Sequence, residues 1–158
     1  MSQDQVFEQP VSLIMTTGDI ITANVDDLAV DVFRRLKDGH INHVPVLAEG
    51  KLVGIVSSSD WLKVSDYGRG TPSTFPPRLP ATGTVEEVMT KNLETIRPTT
   101  TIRRAAELLV EGQFHSLLVT ASDGELLGIV TTSDIIRTLL DGLPEEADLA
   151  ESELLPEA

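Results

Sequence analysis

The sequence contains no cysteine, which excludes disulfide bonds, thiolate catalysis and cysteine-based metal sites. Aromatic residues make up only 4% of its 158 residues, so a core must be built from Val, Ile, Leu and Ala. No apolar run is long enough to span a bilayer, and residues 1–9 lack the basic and apolar regions of a secretory signal. These absences predict a cytoplasmic protein without a membrane partner.

Basic residues are also few. The chain carries 12 Lys and Arg against 25 Asp and Glu, which gives a net charge of −13. Residues 141–158 hold seven of the acids and no Lys or Arg, and the rest of the chain has a net charge of −6. Nucleic-acid binding draws its affinity from neutralising phosphates with Lys and Arg, so this balance opposes a nucleic-acid partner. The charge balance remains compatible with a small anionic ligand if the few Lys and Arg side chains lie close together.

The chain is organised by an internal repeat. The segment Gly-Ile-Val-Ser-Ser-Ser-Asp at 54–60 recurs 74 positions later as Gly-Ile-Val-Thr-Thr-Ser-Asp at 128–134. Met-Thr at 15–16 recurs at 89–90 with the same offset of 74. The sequence therefore predicts two copies of one structural unit, fused in tandem.

The first copy predicts the element order β-α-β-β-α. Asp26 or Asp27 can cap the first helix, whose apolar side chains follow the i, i+3, i+4, i+7 spacing of one helix face at Ala29, Val32, Phe33 and Leu36. Gly39 suits the helix exit. The strands are short apolar runs at 20–22, 44–47 and 52–56, and the last two are joined by a Glu-Gly turn that is typical of a hairpin.

The second copy repeats this order, with a strand at 93–96, a helix opened by Pro98, a hairpin at 117–119 and 126–130, and a closing helix at 135–140. Neither copy is long enough to cover its own sheet, so the two are expected to pack on each other. The predicted fold class is α/β, of the α+β kind, with two pseudo-symmetric repeats forming one module.

Changes in composition set the predicted boundaries. The first repeat, with its N-terminal segment, takes residues 1–66, and the second repeat takes residues 85–141. Residues 67–84 between them are rich in Pro and Gly and are expected to form a connector. Residues 142–158 form an acidic tail.

The candidate site lies where the last strand of each copy ends in a hydroxyl residue, Ser57 or Thr131, and a helix follows at once. The first turn of a helix exposes unpaired N–H groups and the positive end of its dipole, which favours an anionic or hydroxyl-rich ligand. Asp60 and Asp134 can accept hydrogen bonds from vicinal hydroxyls, as carboxylates do with ribose.

Each aspartate is followed three residues later by a base, Lys63 or Arg137, on the same helix face. These bases could reach a phosphate. The glycines that open the repeated motif, Gly54 and Gly128, either allow close backbone approach or relieve crowding in the strand.

A purely structural interpretation explains the same residues. Ser57 and Asp60, like Thr131 and Asp134, match the capping box, in which the hydroxyl caps a helix and an acid three residues on reaches back to a backbone N–H. Asp-x-x-Lys pairs on helices are also commonly solvated. Because a repeated fold repeats its caps, the residues alone leave the cap and the ligand site equally open.

Taken together, these motifs resemble a known family. Met15-Thr16, His43-Val44-Pro45-Val46 and the stretch 50–60 resemble a cystathionine β-synthase (CBS) domain, and residues 89–134 resemble a second. The resemblance implies a Bateman module, a tandem CBS pair whose two clefts bind an adenosine-containing ligand such as AMP, ADP, ATP or S-adenosylmethionine. It also implies a homodimer that relays occupancy to an unidentified protein partner.

The resemblance further assigns roles to residues. Four of them, Ser57, Asp60, Thr131 and Asp134, would hold ribose and phosphate. Thr16 and Thr90 would line the adenine side of the clefts, and His43 would border one cleft. The second copy has Ser116-Leu117-Leu118-Val119 where the first has His43-Val44-Pro45-Val46, so the two clefts are not expected to be equivalent.

An enzyme is not predicted, and neither a catalytic residue nor a metal ligand is assigned. The three histidines accompany no nucleophile–base set, the Gly-rich loop of a nucleotide-hydrolysing or dinucleotide-binding domain is missing, and the repeats fill the chain. His40 and His43 are interpreted as rim residues rather than as a metal pair. The alternative to the regulatory module is a non-catalytic structural or dimerisation module that binds no small molecule.

Overall fold

The computed structural model describes residues 1–60 and 83–144. The chain divides into two compact units. The central unit comprises Ile21–Leu93, and the split unit combines Met1–Ile20 with Glu94–Ala158. None of the described helices is both long and apolar enough to cross a membrane.

The central unit is a three-stranded sheet with helices packed against it. Its strands, in the order β1-β2-β3, pair parallel and then antiparallel; they are β1 (Ala23–Asn24), β2 (His43–Ala48) and β3 (Lys51–Ser57). Its helices are Ala29–Asp38 and Val85–Val88, and a further helix begins at Ser58. Val44, Val46 and Val56 are fully buried in one core cluster with the predicted apolar face of the helix Ala29–Asp38.

The split unit repeats this sheet. Its strands, in the order β4-β5-β6, are β4 (Thr95–Ile96), β5 (Ser116–Thr120) and β6 (Leu126–Thr131), with the same parallel and antiparallel pairing. Its helices are Gln3–Phe7, Ile102–Gly112 and Thr132–Asp141, with a 3-10 turn at Val11–Leu13. The predicted α+β class with two equivalent repeats is therefore confirmed.

The predicted cap of the first helix is wrong. The helix Ala29–Asp38 starts after Leu28, which makes no side-chain capping bond, and Asp27 instead accepts a hydrogen bond from the backbone N–H of Asn24 at 3.0 Å. The cause is a long-range contact, because the Ala29 N–H donates to the carbonyl of Gly83 at 2.9 Å. A returning segment of chain thus satisfies the N–H that a capping side chain would have taken.

Each Met-Thr segment borders the closing strand of the other sequence repeat. Thr16 pairs antiparallel with Ile129 of β6 through two backbone hydrogen bonds of 2.9 and 3.0 Å. Thr90 pairs with Ile55 of β3 through bonds of the same two lengths. Each compact unit therefore contains the Met-Thr segment of one sequence repeat and the closing strand of the other. This is why the split unit contains the start of the chain.

Close approach of the Met-Thr segments explains the two repeated glycines. A Cβ placed on Gly128 would lie 2.8 Å from Met15 Sδ and 2.9 Å from the carbonyl oxygen of Thr16. A Cβ on Gly54 would lie 2.5 Å from Met89 Sδ and 3.2 Å from the corresponding carbonyl oxygen of the other Met-Thr segment. Both glycines make room for a neighbouring stretch of this chain.

The N-terminal helix Gln3–Phe7 was not predicted, although Ser2 and Gln5 form a capping box that the sequence spells out. Phe7 packs against the core of the split unit, and the Arg103 guanidinium lies 5.6 Å from the centre of its ring. Arg103 Nε also donates to Glu8 Oε1 at 2.6 Å, and this hydrogen bond raises the pKa of the guanidinium. The first nine residues are thereby fastened to the helix Ile102–Gly112.

We predict that Gly128→Ala destabilises the protein by about 1–3 kcal/mol, because the new methyl group would overlap a backbone oxygen that cannot rotate away. Gly54→Ala should destabilise it less, since its closest obstacle is the flexible end of Met89. Neither glycine has a positive φ. Without such close neighbours, substitution by Ala at such a position would therefore stabilise the protein by about 0.4–1 kcal/mol. Urea unfolding measures the sign, and a stabilised Gly128→Ala protein would contradict the close approach.

Candidate functional site

The outer edge of β6 brings a threonine and an aspartate together. Because Ile129 exchanges both backbone hydrogen bonds with Thr16, its N–H and C=O point away from β5. Two residues further, about 6.8 Å along the strand, the N–H of Thr131 points to the same edge. Asp134 Oδ2 accepts it at 2.8 Å. Thr16 and the Asp134 carboxylate are therefore neighbours on this edge.

The side chains of the site share one face of the sheet. Ile129 and Thr131 are two residues apart and point to the same side, opposite to the buried Val130 between them. Thr16 is the partner of Ile129 and Ser116 is the partner of Thr131, so both side chains join that face. Hydroxyl groups thus surround the end of β6 beside the carboxylate.

The central unit repeats the arrangement on the outer edge of β3. Thr90 pairs with Ile55, and the Ser57 N–H donates to Asp60 Oδ2 at 2.8 Å. His43 is the cross-strand partner of Ser57 and lies on the same face. In this unit, too, the structure brings four of the predicted residues, His43, Ser57, Asp60 and Thr90, to one edge of the sheet.

The capping interpretation of Thr131 and Asp134 is confirmed. Thr131 Oγ1 accepts the Asp134 N–H at 3.2 Å and donates to Asp134 Oδ2 at 2.9 Å. The two bonds that the carboxylate accepts, from the Thr131 N–H and from Thr131 Oγ1, both go to Oδ2, and Asp134 Oδ1 accepts none within the described residues. Since no buried side-chain oxygen of the described chain lacks a partner, Oδ1 is open to solvent. One carboxylate can therefore cap the helix and still accept a hydrogen bond from a ligand.

One of the two predicted bases, Arg137, lies in the described part of the chain. Arg137 is exposed, lies one turn beyond Asp134 and forms no ion pair with any residue in 1–60 or 83–144. Lys63 lies outside the described residues. Within the same ranges, no three His, Asp or Glu residues come close enough to hold a metal ion.

Sequence reasoning missed two parts of the site. Met15 and Met89 were interpreted only as members of a repeated motif, yet each packs on the glycine of a closing strand and so positions the following threonine. The backbone of Asn42 was also missed. Its carbonyl accepts the N–H of Ser58 at 3.0 Å, which fixes the start of the helix beside the start of β2. The offset of 74 residues between Met15 and Met89 was the signal in the sequence that could have identified the two methionines as part of the site.

Comparison with known proteins identifies the family. The CBS domain model matches residues 11–67 and 85–141. The chain is 32% identical to the uncharacterized protein MJ1426 of Methanocaldococcus jannaschii, with 80% of this chain and 92% of that protein covered. It is 28% identical over 136 residues to protein MJ1225 of the same organism, but it spans only 49% of that protein's length.

Solved structures show the same fold. The structure of CBSX2 in complex with AMP superimposes with a TM-score of 0.70 at 27% identity, covering 84% of this chain and 96% of that one. The CBS domain pair of protein MJ0100, in complex with 5′-methylthioadenosine and S-adenosyl-L-methionine, gives a TM-score of 0.66 at 27% identity, with 82% and 94% covered. The chain belongs to the CBS domain family and carries two CBS domains in tandem.

Proposed function

We propose that this protein is a regulatory module that binds an adenosine-containing ligand, of the AMP, ADP, ATP or S-adenosylmethionine class, and relays its occupancy to a protein partner. The observation that carries the proposal is the carboxylate beside a threonine on the outer edge of each closing strand. Similarity to CBS pairs solved with AMP and with S-adenosyl-L-methionine supports it. We further propose that the module acts without catalysis, as a cytoplasmic homodimer.

The chemistry of the edge suits a nucleoside. Ribose presents two vicinal hydroxyls, which donate well to a carboxylate oxygen such as Asp134 Oδ1. Ile129 offers apolar surface beside that oxygen for a base, with Thr16 next to it. Arg137 offers a positive charge one helical turn away, at a distance that suits a 5′-phosphate.

The way each site is assembled suggests how occupancy is transmitted. Thr16 belongs to the N-terminal segment, whereas Thr131 and Asp134 belong to the second sequence repeat. A ligand that contacts both stabilises the pairing of Thr16 with Ile129 and hence the docking of the first residues. A regulatory ligand needs such a difference in affinity between two states.

Thermal-shift measurements test ligand binding. A saturating ligand at about 100 times its Kd adds about 2.7 kcal/mol of stability, which should raise the Tm by roughly 5–10 °C. The double variant Asp60→Ala/Asp134→Ala should lose this shift relative to its own ligand-free Tm. Asp38→Ala, at an exposed acid outside both sites, serves as the matched control. If neither AMP, ADP, ATP nor S-adenosylmethionine shifts the wild-type Tm, the non-binding structural module is the better description.

Exposed apolar side chains of the split unit support the homodimer. Ile136, Leu139 and Leu140 occupy one face of the helix Thr132–Asp141. Val110 and Phe114 lie at the end of the helix that contacts it, and Val110 and Leu140 are each 79% exposed. A concentration of exposed apolar residues marks an interaction surface. A second copy can cover it through a twofold axis, which presents the same surface on both subunits.

We predict that Leu140→Glu converts the dimer to a monomer, because burying a carboxylate among apolar side chains is strongly unfavourable. Sedimentation velocity measures the change in mass. Ile21→Glu places the same charge at a 43% exposed apolar position of the central unit and should leave the dimer intact. A Leu140→Glu protein that still sediments as a dimer would exclude this surface.

A further inference from the structure

The two equivalent aspartates differ in their access to a ligand. Their capping bonds are the same, since each accepts the N–H of the residue that ends its strand at 2.8 Å. Asp60, however, is only 4% exposed, whereas Asp134 is half-buried. A ligand hydroxyl can reach the Asp134 carboxylate without moving it.

The neighbouring hydroxyl groups differ in the same direction. In the central unit, Ser57 Oγ donates to Asp60 Oδ2 at 3.1 Å and lies 2.8 Å from Ser59 Oγ, so the three side chains bond to one another. In the split unit, the equivalent of Ser59 is Ser133. Its exposed hydroxyl makes no hydrogen bond with any described residue. A ligand that bonds to the Ser59 hydroxyl would have to compete with the bond to Ser57, whereas a ligand that bonds to the Ser133 hydroxyl would displace no bond to a described residue.

The two sites also differ in the residue on the neighbouring strand. His43 faces the site in the central unit, and the smaller Ser116 takes its place in the split unit. The split unit thus combines a smaller side chain opposite the site with a carboxylate oxygen open to solvent and with Arg137, which forms no ion pair with the described residues. This combination fits a nucleoside 5′-phosphate whose ribose hydroxyls are both free.

We propose that the split-unit site, formed by Thr16, Ser133, Asp134 and Arg137, binds a nucleoside 5′-monophosphate while the central-unit site stays empty at the same ligand concentration. Asp60 then serves as a helix cap. This inference rests on the proposed function and adds to it the identity of the working site and the part of the ligand that each residue recognises.

Isothermal titration of the full chain with AMP provides the test. We expect one AMP per chain. Asp134→Asn should weaken binding about 10- to 100-fold, because the amide keeps an oxygen for the cap but loses the charge that attracts the ribose hydroxyls. Asp60→Asn should still bind one AMP per chain, because the proposal leaves Asp60 as a helix cap, and Asp38→Asn, at an exposed acid outside both sites, is the control that should keep the wild-type affinity. Urea unfolding of these variants verifies that their folds are intact.

Two ligand analogues assign the contacts. The wild type should bind 2′-deoxy-AMP more weakly than it binds AMP. The Asp134→Asn variant should bind the two ligands with the same affinity, because the 2′-hydroxyl and the Asp134 charge belong to one interaction. Adenosine should bind the wild type and Arg137→Gln equally, whereas AMP should prefer the wild type.

The outcomes separate the two proposals. Two AMP molecules per chain with similar affinities, or a loss of binding in Asp60→Asn alone, would overturn the asymmetry while leaving the proposed function standing. Binding of S-adenosylmethionine without AMP would overturn the phosphate contact. Failure of all adenosine ligands to bind would instead refute the proposed function itself.

Discussion

The pairing of each Met-Thr segment with a closing strand is the contact on which both the fold and the site depend. It adds a further hydrogen-bonded neighbour to the edges of β3 and β6, which would otherwise present unpaired backbone groups. It is possible only because Gly54 and Gly128 leave room for a methionine and a carbonyl oxygen. The same pairing directs the last N–H of each strand outward to an aspartate, so the sheet edge and the candidate site form together.

The cap and the ligand site, which compete as interpretations of the sequence, are compatible in the structure. A carboxylate has two oxygens, and the capping bonds of Asp134 occupy one of them. The cap holds the side chain in a fixed position, which lowers the entropy that a ligand would otherwise have to overcome in ordering it. The same residue can therefore stabilise the helix and bind a ligand at the same time.

The two copies share the helix caps at Asp60 and Asp134, but the residues around the two caps differ. The backbone N–H groups of Ser57 and Thr131 donate to their aspartates at equal distances of 2.8 Å, yet the hydroxyl network, the burial and the opposite strand differ. The cap stabilises the start of each of these two helices, whereas a ligand needs only one complete site. Pro45 in β2 shows how such divergence is tolerated. Ile55 gives its backbone bonds to Thr90, so the missing N–H of its partner Pro45 breaks no bond between β2 and β3.

The sequence by itself determined the duplication, because its motifs recur at an offset of 74 residues. It also determined the element order of each copy and the α+β class, because these depend on spacing within a few residues. It left the cap and the ligand site equally open. Its prediction that Asp26 or Asp27 caps a helix was wrong, since the carbonyl of Gly83 arrives from more than fifty residues away. Only the tertiary structure decided the exchange of the Met-Thr segments, the reason for the glycines and the unequal burial of Asp60 and Asp134. These depend on which distant segments meet, and the local pattern of a sequence does not record such pairings.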